Sequence, residues 1–218
     1  EALKDKAGKQ PIEPGDVCWA DLNNDGVINN LDRVKVGNLF PTVTGGFSTT
    51  LGYKDFSLYA RFDYALGHTL YNDLAARSLG QYQGSFNIID MVKDSWSETN
   101  QDTDIPKFYY ADQLSKKNIT RSNNGLTAVD NNSSRFYEKG DYLALREITL
   151  TWNLPKKWIN KALMSNASVY VTGQNLFYIT GYTGVSPEPA VDTTYGQGLD
   201  NGRYPTPKTV LLGLSVTF

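Results

Sequence analysis

Lys208-Thr-Val-Leu-Leu-Gly-Leu-Ser-Val-Thr-Phe218 is the stretch on which the fold turns. Val210, Leu212, Leu214, Val216 and Phe218 share one face of a two-residue repeat, and Thr209, Gly213, Ser215 and Thr217 share the other, with Leu211 the exception. The stretch stops on its apolar face, at an aromatic residue with nothing after it to cover that face. Such a pattern suits a strand facing lipid. Taken alone it suits a half-buried strand of a soluble sandwich equally well, so the choice falls to the rest of the chain.

Working back from there, four more segments alternate in the same way. Residues 168–178 form one, its faces blurred where Gln174 and Asn175 adjoin. In 142–154, Tyr142, Ala144, Ile148, Leu150, Trp152 and Leu154 oppose Glu147, Thr149, Thr151 and Asn153. Arg146 falls on the apolar side of that strand, where one charge facing lipid costs about 2–4 kcal/mol. Either a bulge or register shift removes it, or it lies above the apolar band. In 56–66, Phe56, Leu58, Ala60, Phe62, Tyr64 and Leu66 make an unbroken apolar face against Ser57, Tyr59, Arg61 and Asp63. Residues 43–53 precede it across the tight reversal Lys54-Asp55.

The connections alternate in length as well. Lys54-Asp55 and 155–167 are short, the latter an amphipathic turn or helix with Trp158 where an interfacial aromatic belongs. The connections 67–141 and 179–207 are long. With Phe218 at the periplasmic rim, both short ones fall on the periplasmic side and both long ones outside, the plan of an outer-membrane barrel. Within 67–141, residues 88–96 suit a short helix capped by Asn87, and His68, the one histidine, is a loop residue with no evident metal or nucleophile partner. About five strands cannot close a barrel, whose smallest forms have about eight. The chain is therefore expected to be the last part of a longer one.

Composition removes other classes. A net charge of −2 over 218 residues leaves no basic field for nucleic acid. No run approaches the ~18 apolar residues of a membrane helix, a test that barrel strands of about 9–11 alternating residues escape. Cys18, the single cysteine, has no internal disulfide partner, lies between Val17 and Trp19 in a short strand candidate at 16–20, and reads as a small buried apolar residue.

Asp21-Leu22-Asn23-Asn24-Asp25-Gly26-Val27-Ile28-Asn29-Asn30-Leu31-Asp32 places oxygen-bearing groups with calcium-loop spacing. A hard cation of this size takes six to eight oxygens. Asp21, Asn23 and Asp25 offer side-chain oxygens, Val27 its backbone carbonyl, Asn29 a direct or water-mediated contact, and Asp32 the closing carboxylate. Gly26 permits the sharp turn and Ile28 anchors the loop. A surface turn built from Asx residues is the plainer reading of the same letters. Asp32 is shorter than the Glu that closes such loops in bidentate fashion, so a weak structural calcium site is expected.

Several ordered pieces of the chain resemble the C-terminal region of the SusC/RagA family of TonB-dependent outer-membrane transporters of Bacteroidetes. They are Pro14-Gly-Asp16 leading into Asp21-Leu-Asn-Asn-Asp-Gly-Val-Ile28, Asp32-Arg33, Val36-Gly-Asn38, Gly46-Phe47, Leu51-Gly-Tyr-Lys-Asp-Phe56, Tyr142-Leu-Ala-Leu-Arg-Glu-Ile148, Leu154-Pro155, Gly173-Gln-Asn-Leu-Phe177, Tyr204-Pro-Thr-Pro-Lys208 and Phe218. Asn24 stands where the family often has glycine. The resemblance implies an all-β fold, the C-terminal part of an antiparallel transmembrane β-barrel of about 22 strands. Residues 1–42 would then be an extracellular segment carrying the calcium loop 21–32, and 43–218 the last strands with extracellular loops 67–141 and 179–207. It implies import of oligosaccharides or peptides, energy delivered by TonB through an N-terminal part outside these residues, a SusD-like surface lipoprotein as lid, and Phe218 as the signal read by the outer-membrane assembly machinery. No catalytic residues follow from it. The rivals are a secreted soluble β-domain whose calcium loop serves a binding module, and a glycoside hydrolase, for which Asp63, Glu138, Asp141 and Glu147 show no pairing.

Overall fold

Period-two alternation becomes one antiparallel sheet of five long strands. The structure, a computed structural model, describes residues 13–17, 20–26, 30–76, 78, 89–108, 134–188, 198–202 and 204–218. These fall into two units: one of Glu1–Gly37, Tyr71–Glu138 and Leu199–Gly202, the other of Asn38–Leu70, Lys139–Gly198 and Arg203–Phe218. The described strands are β1 (Val43–Tyr53), β2 (Phe56–Leu66), β3 (Thr69–Asn72), β4 (Tyr137–Lys139), β5 (Tyr142–Asn153), β6 (Asn166–Thr180), β7 (Leu199–Asp200) and β8 (Thr209–Thr217).

The second unit carries the large sheet, in the order β1-β2-β5-β6-β8, each neighbouring pair antiparallel. The β1–β2 reversal is as tight as its sequence requires: Tyr53 pairs Phe56, and Lys54 takes φ +53° to close the turn. The β5–β6 link holds the expected short helix, α2 (Lys156–Ile159), extended by a 3-10 turn at Asn160–Ala162. Ile159 is fully buried there, while Trp158 is exposed and stands edge-on to Trp152 at 5.9 Å. Among the described residues no helix is long and apolar enough to cross a membrane, which says nothing of a barrel.

Two strand glycines are covered by a tyrosine on the adjacent strand. Gly213 pairs with Tyr170, and a Cβ at Gly213 would lie 2.1 Å from that ring; Gly45 pairs with Tyr64, whose hydroxyl would lie 2.6 Å from a Cβ there. A bare glycine would leave the neighbouring backbone uncovered, and the ring lies across it instead. Gly213→Ala is therefore expected to cost about 1–3 kcal/mol through displacement of Tyr170, whereas Gly52→Ala, with open space at its Cβ, stays within about 0.5 kcal/mol. Urea midpoints of the two variants check this.

The first unit has its own small sheet, ordered β4-β3-β7, with Tyr71 and Asn72 running parallel to Leu199 and Asp200. Its core is Tyr71, Ala76 and Phe136, with Ala75, Tyr137 and Leu199 packed against them. The side chain of Asn72 accepts the Ala75 N–H at 3.0 Å and so caps α1 (Asp73–Ala76). Connection 67–141 is thus not a plain loop, since it contributes β3, α1 and β4. The helix expected at 88–96 is a 3-10 turn at Asp90–Asp94, entered from Ile89 without a side-chain cap; Asn87 lies outside the described residues. The strand candidate at 16–20 does not form at Asp16, Val17 or Ala20, and Cys18 and Trp19 lie outside the described residues.

Candidate functional site

Cross-strand register sorts the side chains of the large sheet into rows. Leu51, Leu58, Leu150, Val171 and Leu212 are successive partners across all five strands. Tyr53, Phe56, Trp152, Val169 and Leu214 form the next row, and Thr49, Ala60, Ile148, Gly173 and Val210 the one beyond. The other face carries Ser48, Arg61, Glu147, Gln174 and Thr209, then Thr50, Tyr59, Thr149, Thr172 and Leu211. Leu211, the exception in the terminal stretch, is the apolar member of that polar row. The apolar rows are exposed at the outer strands, where Leu212 is 77% and Leu51 61% exposed, and partly covered within the sheet, where Ala60 is 8% exposed. Eleven residues of β2 rise about 36 Å along the strand, which at a tilt of about 45° spans roughly 25 Å, the height of a barrel's apolar band.

Arg146 does not interrupt this belt, because β5 carries a bulge at that residue. On one side Arg61 pairs Glu147 and Phe62 pairs Leu145; on the other Leu145 pairs Phe177 and Glu147 pairs Gln174. Arg146 is the extra residue in β5, matched in β6 by Asn175, at φ +52°, and Leu176. Past the bulge the faces exchange. Leu143 and Leu145 continue the apolar belt with Ile179 and Phe177, while Tyr142 and Ala144 turn to the polar side with Thr180 and Tyr178. The sequence reading of Tyr142 and Ala144 as apolar-face residues is corrected by this single insertion, which also chooses between the two readings of Arg146.

On the polar side Arg146 joins three elements. Its Nε donates to Asp63 Oδ2 of β2 at 2.9 Å, its Nη1 to the Tyr178 hydroxyl of β6 at 3.3 Å, and its Nη2 pairs with Glu188 in the segment after β6. The Tyr178 hydroxyl donates to the same Glu188 oxygen at 2.8 Å, and the guanidinium lies 5.7 Å from the Tyr178 ring centre. Charge-assisted hydrogen bonds to both carboxylates replace the water that Arg146 loses in this partly buried place. His68, expected as an ordinary loop residue, lies in the connection after β2 but is only 1% exposed. Its Nε2 is 2.9 Å from the Pro187 carbonyl, and a Cβ on Gly140 would lie 2.3 Å from that nitrogen. No local sequence signal marks a histidine buried against a segment more than a hundred residues away.

The predicted ion ligands sit in the first unit. Asp21 accepts the N–H of Asp25 at 3.3 Å and of Gly26 at 2.8 Å, Asn23 accepts that of Asp25 at 3.1 Å, and the Asn23 amide donates to Asp25 at 2.8 Å. Asp32 Oδ1 accepts the Leu22 N–H at 2.9 Å and so ties the two ends of the loop. Asn24 and Gly26 have φ +58° and +79°, so Asn24 takes the left-handed conformation that suits glycine. Val27 and Asn29 lie outside the described residues, and among the described residues no three His, Cys, Asp or Glu side chains gather as at a metal centre. Phe218 follows β8 and is 87% exposed. Of the carboxylates weighed for hydrolysis, Asp63 binds Arg146, Asp141 accepts the Gly67 N–H at 2.6 Å, Glu138 accepts from Asn72 at 3.0 Å and Glu147 from Thr149 at 3.3 Å.

An amphipathic antiparallel sheet with a largely exposed apolar belt, a polar opposite face and, among the described residues, no further strand paired to β1 or β8 has the make-up of a wall segment of a transmembrane β-barrel. The chain is similar to TonB-dependent receptor P3 of Formosa agariphila (31% identity over 94% of this chain and 19% of the relative) and to TonB-dependent receptor SusC of Bacteroides thetaiotaomicron (26% identity over 100% and 19%). Over nearly its whole length the chain is thus similar to TonB-dependent receptors of the SusC and RagA kind. TonB-dependent receptor P26 of Formosa agariphila is 32% identical over 96% of this chain and 20% of its own length. Among solved structures, that of the RagAB peptide transporter matches with a TM-score of 0.64 and 26% identity, over 83% of this chain and 17% of that one. The RagAB peptide importer in its closed-closed state matches with a TM-score of 0.62 and the same identity, over 83% and 18%. This chain spans about a fifth of the length of the curated relatives it matches, and no family model matches it.

Proposed function

We propose that these residues form part of the wall of an outer-membrane importer that takes up oligosaccharides or peptides with energy delivered through TonB. The observation that carries this is the apolar belt in register across five strands, facing away from a row of Ser, Arg, Glu, Gln and Thr. A belt of this height left bare in water would be a large aggregation surface; against acyl chains it is the solvated state. In the whole protein the open edges of β1 and β8 pair with the remaining strands of a barrel of about 22. The polar face then lines the interior, and the long connections lie outside beneath a SusD-like lipoprotein. The peptide transporter among its structural relatives supports peptides as one cargo class. The piece itself does no covalent chemistry, and Phe218, exposed beyond β8, serves the assembly machinery as the recognised aromatic.

The test is the intact mass and the co-purifying chains of the native protein taken from outer membranes. A long polypeptide that needs detergent and brings a lipoprotein with it is the expected result. A monodisperse 24.3 kDa species in a salt-washed soluble fraction would refute the reading.

Calcium binding at 21–32 belongs to the same proposal. Each Asp21 oxygen already orders a loop N–H and keeps a lone pair for a cation, and the Asp32 tie brings the closing carboxylate beside the loop's start. Terbium luminescence, displaced by calcium, is expected to report a Kd of about 10⁻⁴–10⁻³ M. Asp25→Ala should abolish the signal, and an unaltered signal in that variant would place the ion elsewhere.

A further inference from the structure

We propose that Arg146 is a latch that holds residues 181–188 as a strap on the polar face of the sheet. The strap leaves β6 at Thr180, whose hydroxyl donates to the Asp141 carbonyl at 2.8 Å and accepts the Tyr182 N–H at 3.1 Å. Tyr182 is buried, the backbone beyond it returns toward the sheet, and two anchors receive it. At Pro187 the carbonyl meets His68 Nε2, and at Glu188 the carboxylate meets both Arg146 and the Tyr178 hydroxyl.

The bulge is what makes the second anchor possible. Without the extra residue, the alternation of β5 would put position 146 on the apolar face, away from Asp63, Tyr178 and Glu188. The insertion turns the guanidinium to the polar side, where its planar fork reaches a carboxylate on each of two elements while it stacks on Tyr178. Asp63 aims the guanidinium and Glu188 is what it holds. Charge-assisted anchors of this kind can release a segment as a local opening without unfolding the strands beneath it. The inference rests on the proposed function only in placing this face toward the barrel interior, and its test involves no transport, so either reading can fail without the other.

The test uses the full-length protein in detergent and follows chymotrypsin cleavage of the Tyr182–Thr183 bond by mass spectrometry. The buried Tyr182 is protected while the strap is docked. Glu188→Gln keeps the shape and removes the charge, and is expected to raise the cleavage rate at that bond at least tenfold while the heat-dependent gel shift of the folded barrel is unchanged. Arg146→Lys should do the same, because a single ammonium does not reproduce the fork or the stacking. Glu147→Gln, the same charge change on the same face outside the latch, should leave the rate at the wild-type value. Wild-type cleavage in Glu188→Gln overturns the latch. So does an equal rise in Glu147→Gln, or a rise that comes only with loss of the folded barrel.

Discussion

Leu150→Arg is expected to lower the stability of the protein in lipid vesicles by about 2–4 kcal/mol, and Ser57→Arg by less than about 0.5 kcal/mol. Leu150 lies in the middle strand of the sheet and in the row Leu51, Leu58, Leu150, Val171, Leu212, so an arginine there has two apolar strands on either side of it. Ser57 is on β2, one residue before Leu58, and faces the other way. Urea unfolding of the two variants in vesicles gives the difference directly. The arginine cost alone does not separate lipid from the core of a soluble sandwich, but a companion substitution does. Leu150→Trp adds volume that fluid acyl chains accommodate, so its cost should be near zero. A close-packed partner sheet would resist the same ring by about 1–3 kcal/mol. A Leu150→Trp penalty in that range, together with a large Ser57→Arg penalty, would mean that protein covers both faces.

The five long strands were legible because a two-residue period survives wherever one face meets an apolar medium. Residues 142–154 and 168–178 were expected, and β5 and β6 occupy Tyr142–Asn153 and Asn166–Thr180. The bulge was legible only as a contradiction, an arginine where a leucine was due. Counting by twos from Ile148 placed Tyr142 and Ala144 on the wrong face, because an inserted residue reverses every side chain beyond it. The matching irregularity in β6 had left its own trace in the adjoining Gln174 and Asn175. Joining the two traces needs the pairing register, which is a property of two strands at once. His68 shows the limit from the other side. Its burial depends on Pro187 and on the missing Cβ of Gly140, three positions far apart in the chain and without periodicity. The loop at 21–32 lies at the opposite extreme, since the hydrogen bonds that join Asp21, Leu22, Asn23, Asp25, Gly26 and Asp32 fall within twelve consecutive residues. Its hydrogen-bond pattern could be anticipated from Asx and Gly spacing, and the left-handed Asn24 accounts for the glycine often found there.

Arg146→Met is expected to cost about 2–3 kcal/mol in the same unfolding experiment, and most of that cost should disappear when Asp63→Asn and Glu188→Gln are added. The arginine side chain is 16% exposed, and the carboxylates it joins are 43% and 32% exposed. Removing one partner of a fully buried ion pair costs about 3–5 kcal/mol, chiefly because the opposite charge is left without compensation. Partial exposure of both carboxylates lets water supply some of what is lost, which brings the expectation down to the lower figure. Methionine keeps the length and much of the apolar stem of arginine, so packing changes little and the stranded negative charges dominate the difference. The triple variant removes those charges as well, leaving amides that can bond to one another, to the Tyr178 hydroxyl or to water. Recovery of more than half of the loss would assign the role of Arg146 to balancing the two carboxylates toward which the bulge turns it. A triple variant as unstable as Arg146→Met alone would assign it to the stack on Tyr178, and Tyr178→Leu would then reproduce the loss in the wild-type background.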